Sequence, residues 1–305
     1  MIHLGFVHDF DRFAESGRIE RAVVETIGDT LAGSDRPFLL AAGVAGIAPG
    51  RVVTEDDPTT AVGPDAPRGG SEALALSYAD RGVRSVALRF AASVHGIGDH
   101  GFVATLAQIA RDRGTSGYIG DGANRWPAVH RSDAARLVAL ALDAAPAGSV
   151  VHAVGEEGVP TRDIAEALGR SLGLPTDSVA PEDAGDAFGW MARFFGLDAP
   201  TSSVLTQERY GWTPTGPTLL DDIAAGGYLP GPDGRRRARS RRPGRTRPGR
   251  RTSSGRAGPR VVGRRHERHH PRDRDHGLRR RRHPRARGAP RHRVEPHPRQ
   301  GCAAR

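Results

Sequence analysis

The sequence contains no lysine, so all 45 of its strongly basic residues are arginines. Its single cysteine, Cys302, excludes a disulfide framework and a thiolate metal cluster, and this composition fits the reducing cytoplasm. No apolar run approaches the roughly 18 residues that a membrane-spanning helix needs. The first residues, MIHLGFVHDF, lack a basic segment followed by an apolar one, so the sequence supports neither export nor a membrane partner.

Charge is distributed unevenly along the chain. Residues 1–230 contain 18 Arg against 30 Asp and Glu, whereas residues 231–305 contain 27 Arg against five acidic residues. The formal net charge of +10 therefore originates in the last part of the chain, and the preceding part is acidic.

Residues 231–305 lose all hydrophobic periodicity and are rich in Arg, Pro, Gly and His. Such a segment cannot bury enough apolar surface to offset its ordering entropy, so we expect a disordered tail. Two interpretations stay open: a weak, nonspecific nucleic-acid contact through phosphate neutralisation, or GC-rich coding sequence translated out of frame. His266, His269 and His270 lie in this run without residues to orient them as ligands, so no metal site is predicted.

Residues 2–230 alternate short apolar segments with helical periodicity. Segments typical of buried strands occur at 2–6, 37–43, 83–90 and 149–153, and helices are predicted between them and beyond, at 71–81, 102–113, 132–142 and 161–172. Ser132 and Thr161 are the predicted N-caps of the last two. The predicted buried face of the first helix repeats every fourth residue: Ile19, Val23, Ile27 and Leu31. This alternation predicts βαβ crossovers and a mainly parallel sheet.

Two segments carry a specific family resemblance. Arg89–Gly96 reads RFAASVHG directly after a predicted strand, and Val129–Ala135 reads VHRSDAA at the start of a predicted helix. Over roughly residues 2–225 the chain resembles the NAD-dependent epimerase/dehydratase family, the extended and atypical short-chain dehydrogenases. The resemblance implies an α/β fold with a partial Rossmann-type, doubly wound parallel sheet. It assigns residues 1–153 to an incomplete NAD(P)-binding domain and 154–230 to a small, mostly helical substrate subdomain.

The resemblance implies NAD or NADP as cofactor, and hydride exchange with an alcohol or carbonyl group of a small molecule. It does not distinguish NAD from NADP or indicate an oligomeric state. It places the cofactor against residues at the ends of the predicted strands: His3, Leu4, Gly5, Ala41, Ala42, Phe90, Ala91 and Ser93.

The glycine-rich turn with which this family begins, and whose helix amides hold the pyrophosphate, is not found. Its absence predicts a chain that begins about 70 residues too late for this turn, with weak or no cofactor binding. The resulting unprotected edge strand at residues 2–6 predicts poor solubility. Gly43, Gly46 and Gly50 give a near-match, but Pro49 interrupts any following helix, so an ordinary glycine-rich turn is favoured over a phosphate-binding one.

The family's catalytic Ser/Thr, Tyr and Lys correspond to Ala41, Arg68 and Glu72. Arg does not deprotonate near neutral pH, Glu has the charge opposite to Lys, and Ala has no hydroxyl. Both an oxidoreductase or epimerase and a catalytically inactive remnant of one therefore remain open.

A polar group follows the predicted strand at 83–90, where open α/β sheets bind their ligands. His95, Asp99 and His100 form this group; they contact the substrate and transfer protons, or they belong to an ordinary polar loop.

The resemblance further places Arg125, Trp126 and His130 in the substrate cleft, although a structural anchor is equally consistent with these residues. Arg suits a carboxylate or phosphate, and Trp suits the face of a ring. Asp133 is predicted to be a first-turn helix charge rather than a catalyst.

Overall fold

The computed structural model describes residues 1–48 and 50–229. Within these ranges the strands are β1 (Ile2–His3), β2 (Pro37–Gly43), β3 (Arg84–Phe90), β4 (Ser93–His95), β5 (Ser116–Ile119), β6 (Arg125–His130), β7 (Ser149–Ala153), β8 (Glu156–Pro160) and β9 (Thr176–Val179). The α-helices are α1 (Phe13–Leu31), α2 (Ser71–Ser77), α3 (Phe102–Arg113), α4 (Arg131–Ala144), α5 (Thr161–Leu172), α6 (Ala184–Phe188), α7 (Ala192–Phe195), α8 (Val204–Tyr210) and α9 (Leu219–Ala224).

The central sheet is parallel, with strand order β1-β2-β3-β7. β2 and β3 pair along their whole length, from Pro37 opposite Arg84 to Gly43 opposite Phe90. Successive residues of β2 point to opposite faces, so Leu39 packs in the cluster that contains α4 and Leu40 packs against α1 and α2. Helices on both faces explain why these strands are apolar throughout, and they confirm the predicted α/β fold with a Rossmann-type parallel sheet.

Two smaller sheets surround the remaining core. β4, β6 and β8 form one of them, and β5 pairs with β9 in the other. The largest apolar cluster lies around these sheets and includes Trp126, Phe188, Met191 and Phe195. The predicted domain boundary at residues 153–154 falls between β7 and β8 and stays a prediction.

The buried face of α1 differs from the predicted one. Ile19 and Val23 are 46% and 36% exposed, so the prediction that they face the core is wrong. The buried positions are instead Ser16, Gly17, Glu20, Val24, Gly28 and Leu31. Small residues lie on this face because a neighbouring turn and the Tyr78 ring approach the helix closely at Gly17 and Gly28. The apolar repeat therefore predicted the helix correctly but not which of its faces is buried.

Two helix starts also differ from prediction by one or two residues. The N-cap of α4 is His130, whose side chain accepts a hydrogen bond from the Ser132 amide, so Ser132 already lies in the first turn. Thr161 is the first residue of α5, and Pro160 precedes it as N-cap. The predicted end of this helix at residue 172 is confirmed, because Gly173 follows it in the left-handed conformation with φ of 69°.

No helix in residues 1–48 and 50–229 is long and apolar enough to cross a membrane. β1 lies at the edge of the central sheet within the same ranges. The predicted disordered tail, its nucleic-acid contact and the histidines weighed as metal ligands all lie outside the described residues.

Candidate functional site

A cleft of about 230 Å³ opens at the carboxyl end of β2. Residues from β2, from the turn that follows it and from the start of α2 line this cleft, and they include Ala41, Ala42, Arg68 and Glu72. The structure thus brings together Ala41, Arg68 and Glu72, the three positions that the resemblance matches to the family's catalytic residues. Ligands of open parallel sheets bind at this edge of the strands.

The backbone at Arg68 adopts an unusual conformation. Arg68, Gly69 and Gly70 are all left-handed, with φ angles of 53°, 62° and 63°. A side chain in this region costs about 1 kcal/mol or more, and such outliers concentrate at functional sites. The turn packs directly on α1, because a Cβ atom added to Gly17 would lie 2.8 Å from the Gly69 amide nitrogen. The close contact between α1 and this turn therefore holds Arg68 in place.

The Arg68 side chain is fixed on one side and open on the other. Its Nε donates to Glu20 Oε2 at 2.9 Å, and its Nη2 donates both to Glu20 Oε1 and to the Ala41 carbonyl, the latter at 2.9 Å. The guanidinium carbon lies 4.6 Å from the centre of the Phe6 ring. Among the described residues Nη1 makes no hydrogen bond, so two N–H donors of a lining residue remain for a ligand.

Glu72 is bound from the opposite side. Its Oε1 accepts from Nε and Nη2 of Arg89 at 2.9 and 2.7 Å, and Arg89 is completely buried. Nη1 of Arg89 donates to the Asp57 carbonyl and lies 3.3 Å from Nε2 of His152. The Glu72 carboxylate is therefore committed to a structural ion pair.

The same buried network continues through His152. Nδ1 of His152 donates to the Ser202 carbonyl at 2.7 Å, which leaves Nε2 to accept from Arg89. Burial lowers the pKa of His152, although the Ser202 carbonyl and the Glu55 carboxylate favour the protonated form. Glu55 reaches the network through the amide of Thr206, whose hydroxyl accepts from the His152 amide. Sequence reasoning missed this network, because its side-chain hydrogen bonds connect positions 50 to 151 apart in the chain.

The other predicted cofactor contacts lie along the same edge of the sheet. His3 ends β1 opposite Leu40, and Leu4 and Gly5 follow it. Phe90 ends β3 opposite Gly43, and Ala91 and Ser93 continue from there.

Of the predicted cofactor contacts, Ala41 and Ala42 line the cleft, and together with Gly43 their small side chains leave room in it for a flat ring. The glycine-rich segment after β2 is an irregular turn, and no helix begins among the described residues between Gly43 and Pro67. The described chain therefore offers no helix N-terminus there for the pyrophosphate.

The structure joins two of the predicted substrate contacts. Nδ1 of His95 lies 2.7 Å from Asp222 Oδ2, and Nε2 of His130 lies 3.8 Å from the same oxygen. His95 is fully buried; its Nε2 makes no hydrogen bond within the described residues and lies 3.7 Å from Glu156. His100 is exposed in the loop before α3.

Arg125 and Trp126 both have structural partners. Nε and Nη2 of Arg125 donate to the Asp198 carboxylate at 3.1 and 2.9 Å. Trp126 is 1% exposed, and its indole N–H donates to the Phe194 carbonyl at 3.2 Å. This geometry favours the structural-anchor alternative for both residues.

Asp133 lies in the first turn of α4, as predicted. Burial would raise its pKa, but hydrogen bonds from the Gly216 and Thr215 amides and the neighbouring Arg136 lower it. Asp133 therefore fastens a loop to the helix and does not serve as a proton donor.

No family model matches the chain. It is 44% identical over 230 residues to the uncharacterized protein C2A9.02 of Schizosaccharomyces pombe, covering 75% of this chain and 77% of that protein. It is 42% identical over 227 residues to the uncharacterized protein YLL056C of Saccharomyces cerevisiae, covering 74% of this chain and 75% of that protein.

Solved structures share the fold at lower identity. DesIV, a dTDP-glucose 4,6-dehydratase from Streptomyces venezuelae solved with NAD, is 21% identical with a TM-score of 0.58, covering 78% of this chain and 73% of its own. MoeE5 in complex with UDP-glucuronic acid and NAD is 21% identical with a TM-score of 0.57, covering 78% and 79%. RMD from Pseudomonas aeruginosa, complexed with NADPH, is 17% identical with a TM-score of 0.57, covering 74% and 80%. The chain thus belongs to the family of the two relatives above, and its fold is that of the NAD-dependent epimerases and dehydratases, the extended short-chain dehydrogenases.

Proposed function

We propose that the protein is an NAD(P)-dependent oxidoreductase or epimerase of the short-chain dehydrogenase type, located in the cytoplasm. It exchanges hydride with an alcohol or carbonyl carbon of a small molecule. The fold supports this proposal, because the solved structures that share it hold NAD or NADPH. The observation that carries it is the Arg68 guanidinium, which is locked by Glu20 at the carboxyl edge of β2 and keeps Nη1 for a ligand.

Each part of the cleft has a role in this proposal. Ala41 and Ala42 form a floor of small side chains against which the nicotinamide end of the cofactor would lie. Arg68 would donate from Nη1 to a ribose hydroxyl or to the oxygen of the reacting carbon. His130 and His100 remain the proposed substrate contacts, since neither is buried in the core.

Arg68 defines what this site does chemically. A guanidinium stays protonated near neutral pH, so it stabilises a developing negative oxygen by hydrogen bonding but does not accept the proton. When bound, the cofactor supplies or accepts the hydride. Proton exchange with the substrate oxygen then falls to water in the cleft, which predicts slow turnover.

Binding of NADH and NADPH, followed by nicotinamide fluorescence, tests the proposal. The 305-residue chain should bind with a dissociation constant of about 1 mM, because no helix begins in the described part of the segment between Gly43 and Pro67, where its amides would hold the pyrophosphate. Arg68→Asn keeps a residue type that tolerates left-handed backbone, and it should weaken binding at least about tenfold. No saturable binding by the unchanged chain, or equal binding by Arg68→Asn, would contradict the proposal.

Arg81→Asn is the matched control. Arg81 also pairs with a carboxylate, that of Asp29, and its guanidinium carbon lies 4.6 Å from the centre of the Tyr78 ring. It is at the opposite edge of the sheet, where its carbonyl accepts from the Gly33 amide just before β2. Arg81→Asn should therefore remove an arginine–carboxylate pair, here an exposed one, and leave cofactor binding unchanged.

A catalytically inactive family member is the second candidate. The chemistry of the three matched positions favours it. Ala41 has no titratable group, Arg68 stays protonated near neutral pH, and the Glu72 carboxylate is bound to Arg89. Cofactor binding without any alcohol- or carbonyl-dependent absorbance change at about 340 nm would favour it. The nucleic-acid alternative concerns residues outside the described structure; it requires DNA retention that disappears when residues 231–305 are deleted.

A further inference from the structure

Phe10 lies inside a group of aromatic rings that the proposed function does not use. We call Phe13, Phe102, Trp190 and Phe194 the aromatic cage. The Phe10 ring stacks on Trp190 with centroids 4.0 Å apart and planes 5° apart. It is also stacked with Phe13 at 6.1 Å, and Phe194 meets it edge to face at 5.4 Å. Phe102 lies at 6.2 Å.

The segment that carries Phe10 also reaches the cleft. Residues 4–12, the N-terminal strap, connect β1 to α1 without regular structure. Phe6 of the strap contacts the Arg68 guanidinium, whereas Leu4 and Val7 are 61% and 48% exposed. The strap therefore contacts the cleft through Phe6 and the cage through Phe10, four positions later in the chain.

Side chains, rather than backbone bonds, hold the strap. Residues 5–11 make no backbone hydrogen bond to any other segment of the described chain. The strap can therefore shift, and Phe10 can leave the cage, without leaving a buried backbone group unsatisfied.

The two arginines next to the aromatic cage already have contacts of their own. Arg125 is bound to Asp198 through Nε and Nη2, and the Arg193 guanidinium lies over the rings of Phe13 and Phe194 at 5.7 and 5.4 Å. The surface around Phe10 in the described chain is therefore mainly aromatic, which favours a flat apolar ring as its ligand.

We propose that the aromatic cage is the ring site for the substrate, and that the ligand-free protein fills it with Phe10. The substrate class is then a small alcohol or carbonyl compound with a flat apolar ring. The ring enters the cage when Phe10 leaves it, and the polar group extends along the strap towards Arg68. This inference rests on the proposed function only for the reaction, since ring binding itself needs no cofactor.

Calorimetric titration without cofactor tests the inference, with 2-naphthalenemethanol as a flat ligand and its saturated counterpart, decahydronaphthalene-2-methanol, as the matched non-planar one. The flat alcohol should bind saturably and at least about fivefold more tightly than the saturated one, because stacking between parallel rings requires a planar partner. UDP-glucose should bind more weakly than the flat alcohol. Equal affinity for the two alcohols, tighter binding of UDP-glucose, or no binding of the flat alcohol would overturn the proposal.

Variants of the strap and of the cage distinguish two roles for Phe10: competition with the ligand for the cage, or packing against the cage alone. Phe10→Ala removes the competing ring and should tighten binding of the flat alcohol about tenfold, and Phe10→Leu should tighten it less. Trp190→Ala should abolish binding. Val7→Ala changes an exposed strap residue and should change nothing. Unchanged or weaker affinity in both Phe10 variants would exclude a role for Phe10 as occupant. Failure of NAD(P)H binding alone would instead reject the proposed function and leave the ring site standing.

Discussion

Two arginine–glutamate pairs lie beside the same strands and have different surroundings. Arg89 is fully buried on β3, and Nε, Nη1 and Nη2 all have partners in Glu72, Asp57 and His152. The Arg68 side chain is 29% exposed, has a left-handed backbone, and retains Nη1 without a partner among the described residues. A saturated pair in an unstrained strand joins elements of the fold. A strained, unsaturated pair at a cleft is suited to binding a ligand.

Breaking the buried pair should have the largest effect on stability. Arg89→Met leaves Glu72 facing an apolar side chain, which should lower the free energy of unfolding by about 3–5 kcal/mol. Arg68→Asn should lower it by less, about 1–2 kcal/mol, because asparagine tolerates the left-handed backbone and its shorter side chain admits water to Glu20, which is only 2% exposed beside Arg68 but lines the cleft. Urea denaturation of both variants measures the difference. Equal losses of unfolding free energy in the two variants would contradict the distinction between a structural ion pair and a ligand-binding one.

The contact beneath Arg68 gives the next largest effect. Alanine normally stabilises a helix relative to glycine by about 1 kcal/mol. Gly17→Ala should instead destabilise the protein by about 2 kcal/mol, because its methyl group would collide with the Gly69 backbone. Gly185→Ala, at a helical position of α6 with no atom within 4 Å of the added carbon, should show the ordinary stabilisation. Both are measured by urea denaturation.

Cofactor affinity extends the Gly17 test from stability to the ligand. A displaced turn should weaken NAD(P)H binding together with stability in Gly17→Ala. If stability falls while affinity is unchanged, the position of Arg68 does not matter for binding.

The buried network should also show itself through pH. Burial lowers the pKa of His152, so above about pH 6.5 the ring is neutral in both the folded and the unfolded chain. Below that pH the His152 ring of the unfolded chain binds a proton, whereas burial disfavours protonation of the same ring in the folded chain. Stability should therefore fall towards pH 5 by up to about 1.4 kcal/mol per unit.

His152→Asn, whose amide can still donate to Ser202, should remove this slope between pH 6.5 and 5. Carboxylates such as Asp198, whose pKa is lowered by Arg125, contribute only at lower pH and serve as an internal reference. An unchanged slope in the variant would show that His152 is not the titrating group. Chemical denaturation at several pH values provides the measurement.

Central strands and helices were predicted well from the sequence where a single local pattern determines the secondary structure. The strand at 83–90, the strand at 149–153 and the helix at 102–113 occur as β3, β7 and α3, with at most one residue of difference. Continuous apolar runs and a strong helical repeat are sufficient there, because the same residues determine both local structure and burial.

The candidate site depended on contacts between distant parts of the chain. The left-handed backbone at Arg68 follows from a glycine 51 positions earlier, and no repeat reveals it. The orientation of α1 was missed for the same reason, since Gly17 and Gly28 select the buried face by allowing close approach. Likewise, nothing near Trp126 in the sequence indicates that its indole would bond to the Phe194 carbonyl.

A crystal structure of the chain soaked with about 10 mM NADPH, well above the expected dissociation constant, tests the central claim most directly. The prediction is that the nicotinamide ribose lies in the cleft above Ala41, within about 3.2 Å of Arg68 Nη1, while Glu20 keeps its pair with the same guanidinium. A coenzyme bound elsewhere, or bound in the cleft with Arg68 turned away from it, would contradict this assignment.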